Sequence, residues 1–230
     1  MPPKIKIAPK DISITFDPGA RGSFLYVFLQ GKLQNHDYEF NVVIPSEYKH
    51  TINPKAIAKF KYRIFVKLDL QMLDVWLFNF WQKIITNEAY SFPGEYDDVY
   101  QEKTFNKLYK SARNAYNYSI ESDLSCFNYI VPFSRTFNWE YLSDLYFSIN
   151  NKLPTNKEII EDTNKISCET NTACKVVKEI IRLEDILQVN GYVFTKNMYD
   201  LYLDCLNNND MRILEKNLVK SNYTQGEFSL

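Results

Sequence analysis

Between a run of strand-forming residues and a run with helical spacing lies Phe16-Asp17-Pro18-Gly19-Ala20-Arg21-Gly22-Ser23-Phe24-Leu25. Its residue types suit the binding of a phosphate or a similar oxyanion. An anion at the start of a helix meets N–H groups without an intrahelical partner and the positive end of the helix dipole. Gly19 and Gly22 allow close approach of the main chain. Arg21 offers a charged, forked donor and Ser23 a hydroxyl at the helix start. Two of the chain's six glycines fall here, which concentrates backbone freedom where a cradle needs it. The GxxxxGK spacing of a Walker loop, with its lysine, is absent. The same residues also make a Pro-Gly turn and a Gly-Ser helix cap with no ligand, so the sequence leaves both readings open.

Acid–base chemistry near neutral pH has two histidines to draw on, His36 and His50. His50 lies in a polar, basic stretch expected at the carboxyl edge of a sheet, where open α/β sheets bind ligands. There it would serve as a base, or be a plain surface histidine. His36 reads as the end of the first helix, where a cation suits the dipole. Glu95, Asp97 and Asp98 with Tyr90, Tyr96 and Tyr100 would line an acceptor pocket or form a solvated loop with aromatic anchors. No GxSxG occurs, so a nucleophile elbow is absent. Cys126, Cys168, Cys174 and Cys205 are scattered without a CxxC pair; this fits free, mostly buried thiols in a reducing compartment better than a zinc site.

The elements that would position these residues follow from periodicity. Asp11–Phe16 reads as a buried strand, Ser23–Leu33 as a helix, and Tyr38–Ile44 as a second strand closed by Pro45. After an irregular basic stretch, Tyr62–Leu68 reads as a third strand and Leu70–Ile85 as an amphipathic helix. Asn87–Gln101 has loop composition, and Thr104–Tyr116 is compatible with a helix. Phe127–Phe133 is short and almost wholly apolar, as a central parallel strand would be. Asn138 is placed to cap a helix from Trp139 to Ile149, and Pro154-Thr155-Asn156 ends it. Asn171–Val189 and Lys196–Leu206 read as helices. The alternation predicts an α/β domain with a parallel sheet and flanking helices over residues 1–160. A helical C-terminal extension over residues 161–230 would pack on the same domain.

Composition sets limits on function. Hydrophobic residues make up 45% and charged residues 24% of 230 residues, which excludes a disordered chain. The net charge of −1 excludes a whole-protein basic field for nucleic acid, while leaving a local cluster of donors able to hold a small anion. No apolar stretch of signal-peptide length follows the N-terminal lysines, and the longest apolar-looking run, Met72–Trp81, is too short for a bilayer, so a cytoplasmic protein is expected, without membrane or nucleic-acid partners. The 17 Tyr and 16 Phe, with abundant Asn, Lys and Ile, match the coding bias of AT-rich genomes such as those of many viruses.

Four segments, in order, carry a family resemblance. Asp17–Phe24 resembles the 5′-phosphosulfate loop of P-loop sulfotransferases. Lys49-His50-Thr51-Ile52-Asn53-Pro54 resembles the family's T-H-x-x-P stretch, whose histidine is the base in cytosolic members. Tyr62–Lys67 resembles the strand that delivers contacts to the 3′-phosphate. Tyr129–Phe133, with Leu142, Leu145-Tyr146 and Ile149-Asn150, is similar to the late strand and helix of small phage-encoded sulfotransferase-like proteins. The resemblance spans roughly Asp11–Asn151. It departs at Phe24, where the family has a second hydroxyl, at Lys67, which stands for an arginine, and at Val75-Trp76, near the position of a serine.

The resemblance implies the P-loop sulfotransferase fold and 3′-phosphoadenosine 5′-phosphosulfate as donor, with no metal. It implies binding through Gly19, Ala20, Arg21, Gly22, Ser23, Phe24 and Lys67, with His50 as catalytic base. The alternative is a non-catalytic viral structural or assembly protein, in the host cytoplasm or the virion. Such a protein would keep the fold and use its aromatic surface for protein partners.

Overall fold

The computed structural model describes residues 11–33, 50–86, 98–167, 172–187, 196–210 and 212–213. The strand expected at Tyr38–Ile44, together with His36, Tyr90, Glu95, Tyr96 and Asp97, lies outside them.

Three strands form a parallel sheet in the order β1 (Ile12–Phe16), β2 (Tyr62–Lys67), β3 (Tyr129–Pro132). Ile12 pairs with Tyr62 and Phe16 with Val66, while Ile64 pairs with Tyr129 and Lys67 with Pro132. Three of the four expected strands are therefore neighbours in one parallel α/β sheet. All five residues of β1 are buried, including Ser13 and Thr15. That is the pattern of a strand covered on both faces. The central strand of the three is β2, whose Ile64, Phe65 and Val66 are fully buried. Phe127–Phe133 was expected to be central on its apolar content. Instead β3 lies at one end of the three-strand order and leaves Ile130 45% exposed. Apolar composition reports burial in sum and does not fix a strand's rank.

Helix α1 (Gly22–Leu29) follows β1, and apart from Ser23 its residues are all buried. It ends through Gly31 at φ +68°, where the hydroxyl of Tyr146 lies 2.8 Å from the position a Cβ would take. The short α2 (Pro54–Ile57) is capped by Asn53, whose side chain accepts the Ala56 N–H. Beyond β2, a 3₁₀ turn at Leu70–Met72 leads into α3 (Leu73–Thr86), and α4 (Asp98–Glu121) precedes β3. A second 3₁₀ turn, Phe133–Phe137, leads to α5 (Trp139–Asn150). Asn138 caps α5 as expected, Oδ1 accepting the Tyr141 N–H at 2.8 Å. Tyr146 of α5 packs on Phe28 of α1, and Asn150 donates to the Leu29 carbonyl at the open end of α1. Helices α6 (Lys157–Ser167), α7 (Thr172–Leu187) and α8 (Lys196–Asn208) follow.

The chain divides into two compact units, residues 1–83 with 115–169, and residues 84–114 with 170–230. The sheet, α1, α5 and α6 belong to the first. In the second, α7 and α8 pack together and bury Cys174 and Cys205. Arg113 donates there to the Ile181 carbonyl at 3.3 Å. In this division α6 goes with the sheet, and residues 84–114 go with the C-terminal helices. Among the described residues, Cys126, Cys174 and Cys205 form no disulfide.

Gly22 answers to packing. A Cβ there would lie 1.9 Å from Cδ1 of Phe16, whose ring is buried beneath the first turn of α1 and has little room to move. Gly22→Ala is expected to cost about 1–3 kcal/mol in urea unfolding, the usual penalty of overpacking. Combining it with Phe16→Leu should recover part of that loss through non-additivity; full additivity would contradict the contact.

Candidate functional site

The chain leaves β1 at Phe16 inside the protein, and four successive carbonyls there each meet a donor. His50 Nδ1 lies 2.7 Å from the Phe16 oxygen. Asp17 O accepts the Ala20 N–H at 3.0 Å. Pro18 O accepts the indole N–H of Trp76 at 2.9 Å, and Gly19 O accepts the side-chain amide of Asn79 at 3.4 Å. Trp76 and Asn79 both stand on α3, so this helix clasps the loop along its carbonyl side. Gly19 itself has φ +87°, and a Cβ would lie 2.8 Å from the Phe80 main-chain nitrogen. Glycine is therefore required at 19 twice over, by conformation and by space.

Arg21 occupies the N-cap position of α1 at φ 56°, ψ 19°. This is left-handed backbone, which costs a residue with a Cβ about 1–2 kcal/mol. Its side chain is buried. The guanidinium lies 4.1 Å from the ring centre of Phe24 and 4.2 Å from that of Phe137. Nη1 donates to the Thr136 carbonyl at 3.3 Å and to Asn164 Oδ1 at 2.7 Å. Asn164 in turn donates to the Phe137 carbonyl at 2.7 Å. Arg21 thus ties the start of α1 to the Phe133–Phe137 turn and to α6.

The other expected site residues sit around this loop. Ala20 and Phe24 are fully buried, Gly19 and Gly22 buried, and Ser23 half-buried at the start of α1. Lys67 ends β2 one position beyond the partner of Phe16 and is half-buried. His50 is exposed and packs edge-on against the Phe16 ring at 5.1 Å. A carbonyl can only accept, so Nδ1 carries the proton in this contact. In neutral imidazole the ring lone pair then resides on Nε2. Gly19–Phe24, Lys67 and His50 are all at the carboxyl end of β1 and β2. Arg21 is engaged inside the protein, and its bonds run to other parts of the fold.

One residue of this neighbourhood escaped the sequence reading as a site residue. The Asp17 carboxyl is 6% exposed, and burial pushes its pKa up to about 7, against a smaller opposing effect of a hydrogen bond with Ser119. Its Oδ2 has no hydrogen-bond partner among the described residues. Ser119, on α4, is fully buried and accepts the Leu68 N–H at 2.8 Å. The signal available was an aspartate directly after five strand residues, in a place where the chain has not yet reached solvent.

Comparison with protein-family models, curated proteins and solved structures found no match. Among the described residues no cluster of three or more His, Cys, Asp or Glu is arranged to hold a metal ion. No described helix is long and apolar enough to cross a membrane.

The Arg21 contacts separate backbone from side chain. Arg21→Ala, which loses the stacking and both hydrogen bonds yet keeps a Cβ, is expected to cost about 2–4 kcal/mol in urea unfolding. Arg21→Gly should cost about 1 kcal/mol less than Arg21→Ala, because glycine adopts positive φ without strain. Equal losses would show that the left-handed backbone carries no strain.

Proposed function

We propose that the chain binds the phosphosulfate end of a sulfonucleotide at Gly19–Phe24 and transfers its sulfuryl group to an acceptor hydroxyl. The observation that carries this reading is the engagement of the carbonyls of Phe16 to Gly19. A carbonyl facing an oxyanion repels it, and a loop that turns four successive carbonyls to other donors favours anions on its N–H side. Ser23 would add a hydroxyl donor. Lys67, on the neighbouring strand end, would supply a charged contact to a second phosphate. Arg21 is not counted among the anion's donors, since its guanidinium is held between two rings. A bound 3′-phosphoadenosine 5′-phosphosulfate would bring the transferable sulfuryl group.

His50 would act on the acceptor. With Nδ1–H held by the Phe16 carbonyl, Nε2 is the basic nitrogen, and it would take the hydroxyl proton as the acceptor oxygen attacks sulfur in line. The oxygen–sulfur bond to the acceptor forms as the bridging bond to the 5′-phosphate breaks, and the proton stays on His50.

The second reading is a non-catalytic protein, a virion or assembly component, that retains this fold as a scaffold. The Arg21 clamp favours it: the one guanidinium of the loop serves the packing of the Phe133–Phe137 turn and α6. Titration calorimetry with adenosine 3′,5′-bisphosphate separates the two. Under the first reading wild type binds and Lys67→Ala binds more weakly, by about tenfold for a lost charge-assisted contact. His50→Ala keeps its affinity while sulfate transfer falls by about 10²- to 10⁴-fold. No binding by wild type would leave the scaffold reading.

A further inference from the structure

We infer that Asp17 and Ser119 are a positioning pair that sets the anion loop against the end of β2, and that the loop holds its anion while the Asp17 carboxyl is neutral. The inference rests on the reading of Gly19–Phe24 as an anion site and deepens it with a regulatory feature. The sheet register pairs Phe16 with Val66, so Asp17 and Lys67 occupy adjacent positions at the carboxyl ends of β1 and β2. Leu68, the residue after Lys67, gives its N–H to Ser119 Oγ. Ser119 is also the hydrogen-bond partner of the Asp17 side chain. A hydroxyl carries one proton and two lone pairs, so this one buried group joins both strand ends from α4. The loop that would hold the phosphosulfate and the lysine that would hold the second phosphate are thereby fixed to one point.

The Asp17 carboxyl lies in surroundings that disfavour its charge, with Oδ2 buried and without a partner among the described residues. Ionising it places a negative charge at the root of an anion-binding loop, which opposes a bound phosphosulfate. Ionisable groups on the surrounding elements are Arg21 on the loop, His50 on the Phe16 carbonyl and Lys67 and Asp69 at the end of β2. Asp74 on α3 and Tyr118 and Glu121 on α4 are further ones among the described residues. All are retained in an Asp17→Asn variant, so a ratio between it and wild type isolates Asp17. The titration of the ligand's own phosphate cancels in the same ratio.

The experiment measures binding of adenosine 3′,5′-bisphosphate from pH 6 to pH 8 for wild type, Asp17→Asn and Ser119→Ala. Thermal midpoints without ligand are recorded from pH 4 to pH 8. Relative to Asp17→Asn, wild-type affinity should fall by about tenfold across the range, the change that one unit of ligand-induced pKa displacement produces. Ser119→Ala should weaken binding throughout, because Leu68 loses its acceptor. The folded pKa lies above the unfolded one. The stability contributed by the neutral carboxyl is therefore fully present below about pH 4 and lost as pH rises through about 7. The wild-type midpoint should fall over that window relative to Asp17→Asn. Parallel affinity profiles overturn the dependence on the Asp17 charge, and undiminished binding by Ser119→Ala overturns the positioning role. Absence of binding at any pH overturns the anion reading and both of these with it, and the midpoints then still report whether the Asp17 carboxyl is held neutral by burial. Parallel midpoints overturn that neutrality.

Discussion

The backbone after Phe16 emerges from the sheet without reaching water, and a buried carbonyl left without a donor costs as much as a lost hydrogen bond or more. That constraint organises the surroundings. It draws His50 from one side, Trp76 and Asn79 from α3, and the Ala20 N–H from within the turn. It also makes glycine necessary at 19, where the loop lies against the Phe80 main chain. With the carbonyls taken, the polarity of the loop is set: its acceptors are spent on the protein. Of its N–H groups, that of Ala20 closes the turn on Asp17 and those from Gly22 onward begin α1.

The same region shows a conflict between local preference and tertiary contact. Arginine is a poor choice for left-handed backbone, yet Arg21 holds it at the start of α1. Its guanidinium lies between Phe24 and Phe137 and hydrogen-bonds the Thr136 carbonyl and Asn164. Contacts of this kind exceed the cost of one strained residue, since cation–π stacking away from water contributes about 2 kcal/mol. Segments more than a hundred residues apart in sequence are joined by this side chain. An arginine that looks like a ligand donor in the sequence is thus a structural tie in the fold.

Much of the first unit was legible from residue patterns. The buried strands at Asp11–Phe16 and Tyr62–Leu68 announce themselves through runs rich in apolar and β-branched residues, and the Asn138 cap through its place before an amphipathic run. The loop at Asp17–Phe24 was legible as a strand-to-helix turn because Pro18, Gly19 and Gly22 punctuate it. The direction of the Arg21 side chain was not legible, since it depends on Phe137 and Asn164, which only the fold brings near. The role of Gly22 was hidden for the same reason: the need for glycine comes from the Phe16 ring, six positions back and beneath it. Trp76 stands out in the sequence only as a departure from the family pattern, while in the fold it is fully buried and its indole N–H serves Pro18. Ser119 lies in a polar helix and gives no sign in the sequence of a partnership with Asp17 and Leu68.

The most direct measurement is an amide proton–nitrogen titration of the labelled protein with adenosine 3′,5′-bisphosphate. An anion held by the main chain at the start of α1 predicts saturable shifts concentrated at Gly19, Ala20, Gly22, Ser23 and Phe24, with Lys67 following at the same ligand concentrations. Amides left unmoved at saturating ligand, or shifts gathered elsewhere in the chain, would contradict it.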